Sequence, residues 1–138
     1  MSAPTPAASP EERRKRILIA DDNATTRAAT AALLETGPYP VTLFHAADGQ
    51  EAVALAASVR PDVVLMDVQM PRLDGVAATR RIKQRRLGLR IVVLTMYAHH
   101  RGPALAAGAD AFLLKGGATD ELFRVIFHKE DHHATESE

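Results

Sequence analysis

Four apolar runs constrain this chain more than anything else in it: Ile17-Leu18-Ile19-Ala20, Val63-Val64-Leu65-Met66, Ile91-Val92-Val93-Leu94 and Ala111-Phe112-Leu113-Leu114. Each has the length of a strand. Each lacks the polar alternation of a sheet with one wet face. Such runs suit strands covered on both faces, as in a parallel sheet with helices above and below it. A fifth run, Val41-Thr42-Leu43-Phe44-His45, mixes polar with apolar residues and suits an edge strand.

Helix-length segments fill the gaps between the runs. Asn23 to Thr36 begins with cap-type residues and stops at Gly37-Pro38; Gly49 to Val59 is Ala-rich and stops before Arg60-Pro61. Asp74 to Arg86 ends in a basic turn that complements the negative end of a helix. A weaker segment covers Gly102 to Ala107, with Pro103 tolerated in its first turn. The last spans Thr119 to Phe127, with Thr119 as its expected cap. The order is strand-helix, repeated. It predicts a doubly wound α/β fold: a five-stranded parallel sheet of order 2-1-3-4-5, flavodoxin-like, with helices on both faces.

The residues that follow each buried run carry the chemistry. Asp21 and Asp22 follow the first, Asp67 the second, Thr95 the third and Lys115 the fourth. In a parallel sheet these ends share one edge, where open α/β sheets bind ligands. Strand order 2-1-3-4-5 makes the first and third strands neighbours, so Asp22 and Asp67 face each other. Crowded carboxylates resist ionising together. A divalent cation relieves that conflict, and Mg²⁺ suits it, because it takes hard oxygen ligands and keeps waters plus a phosphate oxygen. Asp67 is then an ionised nucleophile able to attack phosphorus, with Lys115 and Thr95 available to a phosphoryl group. Taken singly, Asp21 or Asp22 would equally cap the first helix, Thr95 would finish a strand and Lys115 would be a solvated surface group. Gly75 is read as serving backbone geometry.

The segments ILIADDN (17–23), LMDVQMPRLDG (65–75), VVLT (92–95) and FLLKG (112–116), taken in order, resemble the receiver domains of two-component response regulators over Lys15 to Phe127. The resemblance implies that Asp67 is the phosphoacceptor. It implies that Asp22, Asp67 and the backbone carbonyl of Gln69 ligate Mg²⁺, with Asp21 acting through water. Thr95 and Lys115 would bind the phosphoryl group, and Phe112 falls at the family's aromatic switch position. The expected partner is a histidine kinase or histidine phosphotransfer protein, and the expected setting is the cytoplasm. The protein would be a switch that takes up and loses its own phosphoryl group, not a metabolic enzyme.

Some positions depart from the usual pattern. Gly116 stands where many members have Pro after the Lys, a version similar to the NarL-type subgroup. That subgroup normally carries a DNA-binding domain downstream, so the chain is expected to be a stand-alone receiver or the regulatory half of a longer regulator. Phe112 lacks a tyrosine hydroxyl. Met96 stands where the family often has a small residue and would narrow access to the site. Gln69 and Tyr97 occupy the two variable positions that tune loss of the phosphoryl group. A haloacid-dehalogenase-type phosphatase would need an acid two residues after its nucleophile, and that place is Gln69.

The remaining features are read more plainly. Lys plus Arg is 17 and Asp plus Glu is 17, so no net positive field exists to hold nucleic acid or an anionic membrane. There is no cysteine, which excludes disulfides, and no run nears the ~20 apolar residues needed to span a bilayer. Residues 1–14 are expected to be a flexible leader, 15–128 the folded domain and 129–138 a frayed tail. RRIKQRR (80–86) is read as a solvated helix face, and His99-His100 and His132-His133 as exposed loop or tail residues. Leu122, Val125 and Ile126 form the core stripe of the last helix. Phe123 and Phe127 lie four residues apart on a shifted face, either as a broad buried surface or as a patch for an output partner or second protomer.

Overall fold

The computed structural model describes residues 14–128. The expected leader, apart from Arg14, and the tail with His132-His133 lie outside the described residues. Five parallel strands, β1 (Lys15–Ala20), β2 (Val41–Ala46), β3 (Val63–Met66), β4 (Arg90–Thr95) and β5 (Ala111–Leu114), form one sheet in the order β2-β1-β3-β4-β5. Between and after them lie α1 (Ala24–Glu35), α2 (Gly49–Ser58), α3 (Gly75–Arg85), a 3₁₀ turn (Ala98–His100) leading into α4 (Arg101–Ala106), and α5 (Thr119–Phe127). The predicted fold class and strand order are both present. Among the described residues no helix is long and apolar enough to cross a membrane.

Period-two alternation divides the central strands between two apolar layers. Leu18, Val64 and Ile91 lie in register and face α2, α3 and α4, where Ala52, Ala78 and Ile82 meet them. Ile19, Leu65 and Val92 face the other way, onto Leu34 of α1 and Leu122, Val125 and Ile126 of α5. Both faces being apolar is what removed the polar alternation from the sequence.

Three readings need correction. The run at β5 is only partly covered: among the described residues it is an edge strand paired with β4 alone, Ala111 to Leu113 are half-buried against the two apolar layers and Leu114 is 45% exposed. Thr119 is the first helical residue of α5 rather than its cap; Ala118 takes the cap position and makes no side-chain cap bond. The basic stretch on α3 is not uniformly solvated. Lys83 is buried, and its Nζ donates to the carbonyls of Leu87 (3.0 Å) and Leu89 (2.6 Å) and to Asp110 Oδ2 (2.7 Å). Its long apolar stem lies against Gly108, and burying an ammonium requires that every proton find an acceptor.

Phe123 and Phe127 pack onto their own chain. Phe127 stacks on Tyr39 at 4.3 Å between ring centroids, and Phe123 fills the space beside Gly37. Tyr39 and His128 close the corner with a 2.9 Å hydrogen bond between hydroxyl and imidazole. The rings are half-buried, and the turn before β2 covers much of what the helix pattern left open.

Candidate functional site

Strand pairing continues one residue past β1 and β3, and this aims the acids at the carboxyl edge. The Asp21 amide donates to Ala46 O (3.0 Å) and the Asp67 amide to Ala20 O (2.9 Å). Across the sheet the Lys115 amide donates to Thr95 O (2.8 Å), so β4 and β5 place Thr95 and Lys115 side by side. Asn23, not either aspartate, caps α1 by accepting from the Thr26 amide. That leaves both acids free of the capping role.

Asp21, Asp22 and Asp67 each offer a carboxylate oxygen, and the three oxygens lie within 4.8 Å of one another. Asp21 and Asp67 are almost buried, whereas Asp22 is exposed. Lys115 Nζ donates to Asp21 Oδ2 (2.8 Å) and to Asp67 Oδ2 (3.2 Å). Backbone amides hold the other oxygens: Asn23 N donates to Asp21 Oδ1 (2.9 Å) and Val68 N to Asp67 Oδ1 (2.8 Å). These amides have no signature in the sequence, because any residue but proline supplies one. The guanidinium of Arg27 donates to the Asp21 carbonyl, a contact the sequence reading did not single out.

Burial pushes the Asp67 carboxyl above its ordinary range, against the pull of the Lys115 ammonium; the charge of Asp21 acts in the same direction as burial. Burial alone would lower the Lys115 ammonium, but its hydrogen bond to Asp21 and the charge of Asp67 outweigh that and raise it. The protein therefore holds one ammonium among three carboxylates, a set still short of positive charge.

Gln69, Thr95, Met96, Tyr97 and Gly116 complete an open cleft of about 510 Å³ around these groups. Thr95 is buried at its floor; Met96 (64% exposed) and Tyr97 (47%) stand at its rim. Met96 is turned largely to solvent, so its bulk does not seal the cleft. Tyr97 lies 5.7 Å from the His99 ring and 6.0 Å from the His100 ring. His100 is not a plain exposed residue: it is half-buried, and its Nε2 is sealed from solvent without a partner among the described residues. Phe112 lies lower on β5, half-buried, with the Arg101 guanidinium 6.0 Å from its ring. The Lys115–Gly116 peptide is trans, and Gly116 has φ +81°, where glycine carries no steric cost. Gly75 answers a close approach: a Cβ there would lie 1.8 Å from the Asp67 carbonyl oxygen, and the Gly75 amide donates to Val68 O (2.7 Å).

Comparison with known proteins follows the same span. Residues 17–127 match the family described as response regulator receiver domain. The transcriptional regulatory protein LiaR of Bacillus subtilis is 38% identical over 113 residues, covering 80% of this chain and 54% of LiaR. The chain thus spans about half the length of that curated relative. The receiver domain of the sensor histidine kinase PA1611 from Pseudomonas aeruginosa PAO1, described with a magnesium ion coordinated in its active site cleft, is 35% identical. It aligns with a TM-score of 0.72 over 83% of this chain and 96% of that one. The signal receiver domain of a response regulator NarL from Mycobacterium tuberculosis is 25% identical, with a TM-score of 0.77 over 84% of this chain and 95% of that one.

Proposed function

This chain belongs to the response regulator receiver domain family, and from that premise we propose that it is a phosphoacceptor switch whose acceptor is Asp67. The folded unit of the proposal is residues 15–128. The phosphoryl donor would be the phosphohistidine of a histidine kinase or phosphotransfer protein. The setting would be the cytoplasm. The output would be a change in the population of two conformations that a partner reads.

One observation carries the reading: three carboxylate oxygens within 4.8 Å of one another, with a single ammonium between two of the residues. All-oxygen donors at this charge density fit Mg²⁺ better than a soft or borderline metal. Asp22, Asp67 and the carbonyl of Gln69 would hold it directly, and Asp21 through water. When bound, the ion supplies the positive charge that lets a phosphoryl group approach an anionic carboxylate.

The chain's own residues do the rest. Val68 N holds Asp67 Oδ1, which leaves Oδ2 to attack. An Oδ2–P bond forms as the donor's N–P bond breaks, and the donor imidazole keeps the electron pair. Lys115 already lies 3.2 Å from Oδ2 and pairs with a phosphoryl oxygen once one arrives. The Thr95 hydroxyl donates to another, and Tyr97 at the rim limits the water that hydrolyses the acyl phosphate. Loss of phosphate is a self-directed hydrolysis and serves to reset the switch.

The test is acyl-phosphate formation with a small phosphodonor, with and without Mg²⁺, in the wild type and in Asp67→Asn. Mg²⁺-dependent labelling that disappears in the variant is expected. Labelling that persists in Asp67→Asn, or its absence with both a small donor and a phosphorylated histidine kinase, would overturn the proposal.

A further inference from the structure

The chain has no net charge, yet its charge is segregated. Between Gly75 and Ala109 stand Arg80, Arg81, Lys83, Arg85, Arg86, Arg90 and Arg101, with no acidic residue among them. Internal contacts account for part of the set. Lys83 pairs with Asp110, Arg90 Nε donates to Val125 O, and Arg86 donates to Ala56 O. Arg80, Arg81 and Arg85 on α3 are exposed, and none forms a salt bridge among the described residues. Arg81 and Arg85 are one turn apart, a like-charge spacing that disfavours the isolated helix. Leu87, just past the helix, is 80% exposed.

Arg80 also forms the rim of an open groove between α3 and α4. Its apolar walls are Val68, Met70, Val76, Ala77 and Pro103, and the half-buried His100 stands on it with Nε2 sealed and unpartnered. Asp74 lines the groove too, but its Oδ1 is engaged as the cap of α3, accepting from the Ala77 amide.

We propose that this groove, with Arg80 on its rim and Arg81 on the adjoining exposed face of α3, forms a docking surface for an acidic protein segment that carries an apolar anchor residue. The anchor fills the groove between α3 and α4. Carboxylates flanking it take the forked guanidinium of Arg80 at the rim and that of Arg81 on the adjoining exposed face of α3, a geometry that suits arginine better than lysine. Charge complementarity selects the partner, because these arginines concentrate positive charge on one face of a chain whose formal charge sums to zero. Nucleic acid fits less well: the groove walls are aliphatic and offer no Phe, Tyr or Trp on which bases stack. The proposal does not depend on phosphorylation and applies to the unmodified chain.

The probe is a short fluorescein-labelled peptide of glutamates around a central Leu-Phe pair, titrated with the full chain by fluorescence anisotropy. Saturable binding is expected, weakened about tenfold or more in Arg80→Glu/Arg81→Glu. Both positions are exposed, and Arg80→Gln/Arg81→Gln replaces that variant should the reversal disturb the thermal transition. The proposal is overturned by no saturable binding, by equal affinity in the variants, or by equal affinity for a glutamate peptide lacking the Leu-Phe pair. Tighter binding of a single-stranded oligonucleotide, lost in the same variants, would reassign the face to nucleic acid. Concentration-dependent dimerisation abolished by the variants, with no peptide binding, would reassign it to a second copy.

Discussion

Lys115 lies closer to Asp21 than to Asp67, the proposed acceptor, donating to the first at 2.8 Å and to the second at 3.2 Å. The ammonium is thus shared, and the shorter bond goes to the more buried acid. Asp67 is left only partly compensated, and burial keeps its carboxyl above the ordinary value of 3.8. The first two predictions follow from that imbalance.

An acid whose value is raised on folding stabilises the fold while it is protonated. That stability is fully present below the unfolded value near 3.8 and is lost as pH rises through the folded one. Asp67→Asn cannot ionise, so in chelator it is expected to be more stable than the wild type at neutral pH. The gap should narrow as both are acidified through this window. Denaturant midpoints at a series of pH values measure it; a gap independent of pH would contradict the account.

An ion that binds the folded site alone stabilises it by mass action, by about 2.7 kcal/mol at a hundredfold excess over Kd, and the proposed Mg²⁺ site is expected to behave in this way. Thermal denaturation of the wild type is expected to rise with Mg²⁺ and to return on chelation. Asp22→Asn and Asp67→Asn should each flatten the response. A response of full size in both variants would move the ion elsewhere.

The carbonyl of Asp67 occupies the space a side chain at position 75 would need, so Gly75→Ala must displace either β3 or the start of α3. A cost of about 3 kcal/mol or more is expected from that overlap, with reduced acyl-phosphate formation. Gly88 has nothing within 4 Å of its would-be Cβ, and Gly88→Ala is expected to stay within about 1 kcal/mol of the wild type. Urea denaturation of the pair separates close approach from generic glycine replacement.

Lys83→Met removes the group that ties the end of α3 to the Leu87 and Leu89 carbonyls and to Asp110. Three acceptors lose their donor, although Asp110, about a third exposed, regains water. A loss of about 2–3 kcal/mol is expected from equilibrium unfolding. Arg81→Met, two residues earlier on the exposed face, should change stability by no more than about 0.5 kcal/mol.

Tyr97 stands at the mouth of the cleft and touches the His99 and His100 rings rather than the acids. Tyr97→Ala opens the rim and is expected to shorten the lifetime of the acyl phosphate several-fold while leaving its formation Mg²⁺-dependent. Following label decay after removal of the donor checks this, and an unchanged decay rate would remove Tyr97 from the account.

Much of this was legible in the residues. Runs such as Val63–Met66 announced a sheet covered on both sides, because apolar side chains on both faces leave no room for polar alternation. The acids at 21, 22 and 67, with Thr95 and Lys115, announced their common edge, because parallel strands all end there. Local pattern carried no information about distant neighbours. The run at β5 reads like β3, yet it lies at the edge of the sheet formed by the described residues, with β4 as its one partner there. Lys83 reads like the arginines around it, yet it is buried because Asp110 and two loop carbonyls surround it. Phe123 and Phe127 fitted either a broad buried surface or an open patch in sequence, and only the packing of Gly37 and Tyr39 on them shows how far they are covered.

By itself the sequence determined the layered α/β architecture and the set of groups at the carboxyl edge of its sheet, since strand length, apolar pattern and strand-end chemistry are all local properties of the chain. Only the tertiary structure decided how the charges are shared there. Whether Lys115 serves Asp21 or Asp67, which amide holds which oxygen, and which arginines of α3 stay unpaired depend on groups far apart in sequence. Coulombic and hydrogen-bonding energies depend on distance in space, and folding sets that distance.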